Sequence, residues 1–253
     1  MMRVIAVINQ KGGVGKTTTT MNLAHALAKK GYRVTTIDFD PQANLTVGFG
    51  ALVRPQAGIG NALMDNIPLI ELIKPVRDKL NLLPAGDRLG EFEYLTEGGA
   101  KRGFMLQSLF TREQLDSDFI LIDCAPTSGM LGMNALLAAD EVMVPVASDF
   151  YSLQGVSRLM QIFNYVESKL QRRTRKWFVL TRYNERRKMA RNVRDQIVHY
   201  FPQQVLNTPI RETVALAESP AYGKTIFDYR ARNRGAEDYM NLASDIVLEQ
   251  VIH

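Results

Sequence analysis

Apolar residues along the chain gather in short runs rich in β-branched side chains. They lie at about 3–8, 33–38, 80–83, 118–122, 141–146, 176–181 and 204–206, and they predict strands. Between them the apolar positions recur at helical spacing over 17–30, 104–115, 130–139, 153–170 and 187–200. Strands alternating with helices imply a doubly wound α/β fold, a mostly parallel sheet with helices on both faces. The stretch 51–79 scatters Gly, Pro and Asn among short apolar groups, and no element is assigned there. No internal repeat, low-complexity segment or heptad series is present.

Composition adds bounds. With 253 residues, 46% apolar and 23% charged, the chain can bury one large core, so a single domain over 1–253 is expected. The first apolar run is too short for a secretory signal, and no run approaches the roughly 20 apolar residues that span a bilayer. A soluble, cytoplasmic protein is therefore expected. The one cysteine, Cys124, excludes an internal disulfide framework and a thiolate-rich metal site, and is expected to be a small buried residue.

The first strand runs into "NQKGGVGKTTTTMN", residues 9–22, which carries a Walker A core between a strand and a helix. Gly12, Gly13 and Gly15 let backbone N–H groups around Val14 approach phosphate oxygens with no Cβ in the way. Lys16 offers a charge to the β- and γ-phosphates, Thr17 a hydroxyl to Mg²⁺, and Thr18 continues the helix start that faces the anion. The loop also holds a second lysine, Lys11, beyond what a phosphate loop needs. Asp38, Asp40 and Asp123 follow predicted strands, at the carboxyl ends where open α/β sheets bind ligands.

Three stretches, "KGGVGKTTTTMNLAHALAKKGYRVTTIDFDPQANLT", "FILIDCAPTSGMLGMNALLAADEVMVPVASDFYSLQGV" and "LAESPAYGKTIFDYRARNRGAEDYMNLASDI", resemble the deviant Walker A ATPases of the ParA/MinD family, on the ParA/Soj branch. The likeness covers nearly the whole chain. It implies a P-loop fold and an Mg-dependent ATPase whose hydrolysis is slow until a partner stimulates it. It also implies that Lys11 reaches across an ATP sandwich homodimer to the partner's phosphates. By the same resemblance Asp40 orients the attacking water near the metal, Asp123 is the Walker B acid on Mg²⁺, and Asp38 supports them from behind. A turn carboxylate ahead of Pro41 is the other use of Asp40. Adenine contacts are expected from the end of the strand carrying Thr181 and Arg182, and from the loop Thr208-Pro209-Ile210. Switch II departs from the family in Ala125, where a second proline is common.

Charge is concentrated. From Gln171 to Arg194, Arg172, Arg173, Arg175, Lys176, Arg182, Arg186, Arg187, Lys188, Arg191 and Arg194 face one acid, Glu185. Such a one-sided field suggests a polyanion surface. On a helix from about 187, Arg187, Arg191 and Arg194 share a face, with Met189, Val193 and Ile197 as the opposing apolar stripe. Lys224, Arg230, Arg232 and Arg234 make a second cluster. The resemblance implies nonspecific binding of double-stranded DNA by the ATP dimer, with Arg186 at a family position. A second family arginine is replaced by Ala215, for which Arg211 and this second cluster are expected to compensate.

The resemblance also implies a separately encoded, ParB-like adaptor that docks near "DFYSLQGV", and a location on the nucleoid. The chain starts at its first strand, so operator binding through an N-terminal helix-turn-helix domain is not expected. Two other readings remain: a MinD-like membrane ATPase, and a metabolic ATP-dependent ligase. The tail "NLASDIVLEQVIH" has no Lys or Arg to anchor an amphipathic helix, so no membrane partner is expected. The cargo, whether plasmid, chromosome locus, carboxysome or chemotaxis cluster, is not written in the residues.

Overall fold

The computed structural model describes residues 2–51, 57–95, 99–126, 129–170 and 173–252. Its strands are β1 (Arg3–Val7), β2 (Val34–Phe39), β3 (Lys74–Arg77), β4 (Leu80–Leu83), β5 (Phe119–Cys124), β6 (Glu141–Ala147) and β7 (Arg175–Thr181). They form one sheet in the order β3-β4-β2-β5-β1-β6-β7, parallel throughout except for the β3–β4 pair. The longer helices are α1 (Lys16–Lys29), α6 (Met105–Arg112), α7 (Met130–Ala138), α8 (Phe150–Leu170), α9 (Lys188–Tyr200) and α12 (Arg234–Leu248). Shorter ones are α2 (Asn44–Gly48), α3 (Ile59–Asp65), α4 (Leu69–Leu72), α5 (Leu89–Tyr94), α10 (Val214–Glu218) and α11 (Ile226–Arg230).

Successive strand residues point to opposite faces, and here both faces are dry. On β1, Val4 and Ala6 enter a core with Ile59, Leu106, Leu131, Val156, Val193 and Ile197, so helices α3 to α9 cover that side. Ile5 and Val7 enter the other core, with Leu23 and Leu27 of α1 and Tyr239, Leu242 and Ile246 of α12. This is the doubly wound architecture that the alternation predicts.

Three differences from the sequence reading have physical reasons. Residues 204–206 do not form a strand: Val205 makes an isolated parallel bridge to Phe178, and Leu206 an antiparallel one to Val251. The stretch 51–79 holds α3, α4 and β3, with 52–56 outside the described residues. β3 is an edge strand with exposed Lys74 and Pro75, and it lacks the buried apolar run that marks the central strands. On α9 the buried stripe is Ala190, Val193 and Ile197, while Met189 is 46% exposed. The apolar phase is thus one residue away from the predicted one.

One charged cluster ties the start of the sheet together. Arg3 grips Glu141 through Nε at 2.6 Å and Nη2 at 2.7 Å, and Trp177 Nε1 donates to Glu141 Oε2 at 2.5 Å. Burial pushes the Glu141 carboxyl up, but these donors outweigh it and the net shift is downward. A lowered carboxyl stabilises the fold above its ordinary titration range, and that stabilisation is lost as pH falls through the lowered value. Glu141→Gln is expected to cost about 2 kcal/mol at neutral pH, discounted from a fully buried pair because Arg3 is partly exposed. The deficit should narrow in acid. Denaturation followed by the fluorescence of Trp177, the only tryptophan, checks both points.

Candidate active site

The site forms where β1, β2 and β5 end. Parallel register sets Asp38 beside Asp123 and Val7 beside Asp123, so two carboxylates and the phosphate loop meet at one edge of the sheet. The loop leaves β1 and enters α1 through Gly13 and Gly15, which have φ of 73° and 92°, in the left-handed region that favours glycine. No atom lies within 4 Å of where a Cβ would stand on Gly12 or Gly13, so the backbone faces open space. Thr181 of β7 ties the loop down by donating to the Val14 carbonyl at 2.8 Å. Buried Asn9, which the sequence reading did not single out, accepts from Lys11 N–H at 3.0 Å and donates to the Pro145 carbonyl at 2.8 Å.

Lys16 is buried and donates to the Lys11 carbonyl at 3.3 Å. Burial lowers its pKa, against the pull of Asp123. Asp38 is fully buried and accepts from the Thr46 hydroxyl at 2.6 Å and the Thr46 N–H at 2.8 Å. Burial still pushes it up to about 6. It therefore braces the segment after Asp40 through Thr46. Asp40 is 7% exposed, and its Oδ1 accepts from Gln42 N–H at 2.9 Å. Asp123 accepts from the Thr20 hydroxyl at 3.4 Å, while its buried Oδ2 has no hydrogen-bond partner. Burial, then the charge of Asp38, pushes the Asp123 carboxyl well up, against the Thr17 hydroxyl.

An orphaned carboxylate oxygen beside an open cradle of backbone N–H groups fits a magnesium nucleotide. Among the described residues no cluster of three His, Cys, Asp or Glu could hold a metal alone. That suits Mg²⁺, which takes one or two carboxylates, water and phosphate oxygens. Bound there, it would neutralise charge on the transferring phosphate. Thr17, Asp40 and Asp123 are the residues that could hold it, with Thr18 further along the loop's helix.

A cavity of about 280 Å³ opens beside the loop, lined by Gly13, Gly15, Thr18, Thr181, Arg182 and Tyr239 among others. Thr181, Arg182 and Ile210, all from the stretches expected near the base, line it. Pro209 does not: it lines a separate, wider cavity with Arg186, Arg211 and Arg234. The reason is local, because Ile210 N–H bonds to the Leu180 carbonyl and turns Ile210, not Pro209, into the smaller cavity.

Lys11 is held within its own chain. Its Nζ lies 2.5 Å from Asp149 Oδ1 and 3.3 Å from Ser152 Oγ at the start of α8. Burial pushes Asp149 up, but Lys11 and Ser152 bring it below its ordinary value.

On the surface, Arg186, Arg187, Lys188, Arg191 and Arg194 are all exposed. Arg187 stands 3.4 Å from Glu212, and Arg191 donates to the Glu185 carbonyl at 2.6 Å. Much of the remaining run has structural partners. Lys176 pairs with Glu167, Arg175 with Glu249, and Arg172 lies outside the described residues. Arg211 is turned onto buried Asp238 at 2.6 Å, which leaves its charge matched rather than free. Exposed Lys224 sits on a segment whose neighbours Ile226 and Phe227 pack into the opposite layer from α9. Ala215 is 3% exposed and belongs to the core. Among the described residues no helix is long and apolar enough to cross a membrane.

The fold and the loop define a P-loop nucleotide hydrolase of the deviant Walker A type. A family profile described as an AAA domain matches residues 2–176. The chain is 36% identical to the sporulation initiation inhibitor protein Soj of Bacillus subtilis, covering 97% of this chain and 98% of that protein. It is 40% identical to the chromosome-partitioning ATPase Soj of Thermus thermophilus, covering 97% and 96%. Cobyrinic acid a,c-diamide synthase from Mycobacterium smegmatis, solved with bound ADP and magnesium, superposes with a TM-score of 0.83 at 28% identity, covering 98% of this chain and 94% of that one. The chain belongs to the ParA/Soj family of partitioning ATPases, and its cofactors are ATP and Mg²⁺.

Proposed function

We propose that this ATPase forms an ATP sandwich homodimer, binds double-stranded DNA without sequence preference, and is released when a separately encoded adaptor stimulates hydrolysis, so that a cargo is positioned on the nucleoid. The observation that carries the reading is an exposed cationic face on α9, on the same chain as a complete phosphate site. Lys16 and the loop glycines bind the phosphates, Asp123, Thr17 and Asp40 hold the metal, Asp40 orients water, and Lys11 serves the partner's nucleotide. Arg182 contacts the base. Arg186, Arg187, Lys188, Arg191 and Arg194 meet DNA phosphates; Arg211, matched by Asp238, and Lys224 are left out of that face. The exposed side of α8, which begins where Asp149 holds Lys11, is a reasonable landing place for the adaptor.

Fluorescence anisotropy of a random-sequence duplex tests the DNA contact. Replacing Arg187, Arg191 and Arg194 together by Ala should weaken binding about uniformly across sequences and flatten the salt dependence, because each phosphate contact releases counterions. An affinity and salt slope equal to those of the wild type would overturn the assignment of this face.

A further inference from the structure

Glu93, on α5, reaches a helix 38 positions further along the chain: its Oε2 accepts from the Leu131 N–H at 2.9 Å, in the first turn of α7. The first N–H groups of a helix have no partner within it, and the residue at the N-cap of α7 is Gly129, which has no side chain to cap them. The backbone of Gly129, at φ −78° and ψ −161°, is open to any residue. A Cβ there would nevertheless collide with Glu93 Oε1. The carboxylate thus fills the space left by the glycine and caps the helix from outside.

The same short helix lies against the other carboxylate loop. A Cβ on Gly90 would stand 3.9 Å from Cβ of Pro41, the residue after Asp40. Leu89 and Phe92 are buried and fix α5 in the core. Upstream of α7, Ala125 N–H bonds to the Phe39 carbonyl at 3.4 Å. Ala125 is therefore tied to the central sheet, and the start of α7 is tied to Glu93.

We propose that Glu93 is a positioning residue for ATP hydrolysis: by capping α7 it fixes the start of the helix that follows Asp123 in the chain, and through α5 it keeps that start in step with the Asp40 loop. Its effect belongs to the chemical step. Nucleotide affinity comes from the glycine loop and Lys16, which Glu93 does not touch.

The experiment compares Glu93→Ala, Glu93→Gln, Gly129→Ala and the double variant Glu93→Ala/Gly129→Ala, each at saturating Mg·ATP. Loss of the cap should lower kcat about tenfold, with KM changed less than about twofold. Glu93→Gln should recover most of the rate, since its amide oxygen can accept from Leu131. Gly129→Ala should behave like Glu93→Ala because its methyl displaces the carboxylate, and the double variant should be no slower than either single. Gly129→Ala carries the test if Glu93→Ala folds poorly, and thermal unfolding of each variant separates stability from rate. An unchanged kcat in both single variants, a raised KM with kcat intact, or a double variant as slow as the product of the singles would overturn the proposal.

Discussion

Lys11→Ala should give a protein that binds ATP with nearly wild-type affinity and remains a monomer in its presence. The structure holds the Lys11 ammonium on Asp149 and Ser152 of its own chain, so a reach across an interface requires that contact to break. Both partners are part-exposed, with side-chain exposures of 31% and 47%. Such a pair is weak, worth about 1 kcal/mol or less, and a triphosphate carries more charge than one carboxylate. ATP on a second copy can therefore draw the lysine away. Asp149→Asn should release Lys11 and favour the dimer. Light scattering with ATP checks the first variant, and a dimer like that of the wild type would remove Lys11 from the sandwich.

Asp40→Ala should leave ATP binding and dimerisation in place while hydrolysis slows by about a hundredfold or more, the scale of losing a group that acts only on the transition state. The carboxylate is buried beside Asp38 and Asp123 yet has a visible turn contact, to Gln42 N–H. The two uses separate cleanly. A turn role alone would cost stability, about 1 kcal/mol, and leave turnover unchanged. Single-turnover hydrolysis in the presence of Mg²⁺ distinguishes them, and a wild-type rate would return Asp40 to the turn.

The phosphate loop and the central strands were legible because local sequence dictates them. Strands dry on both faces demand unbroken apolar runs, and glycines at positive φ punctuate the loop between Ile8 and Lys16. Asp38 and Asp123 followed from the same logic, since they end neighbouring strands in register. What escaped depends on contacts between distant residues. Pro209 and Ile210 are adjacent in sequence but line different cavities, and one backbone bond to Leu180 decides between them. The charge of Arg211 was plain, but buried Asp238 across from it was not. Asn9 and Asp149 gave no signal beyond being polar, because their roles exist only once the loop meets β6 and α8. Ala215 stands where the family commonly has an arginine, and its methyl group is buried in the core, a packing role that the sequence does not show. On α9, the buried face was set by which residues met the sheet, so Ala190 took the place expected of Met189.

We propose that ATP switches this chain onto DNA. The measurement that tests it most directly is one anisotropy titration of a random-sequence duplex, run in parallel with ATP and with ADP at two salt concentrations. Binding with ATP should weaken steeply as salt rises, and little binding is expected with ADP. Equal binding in both nucleotides, or none in either, would contradict it.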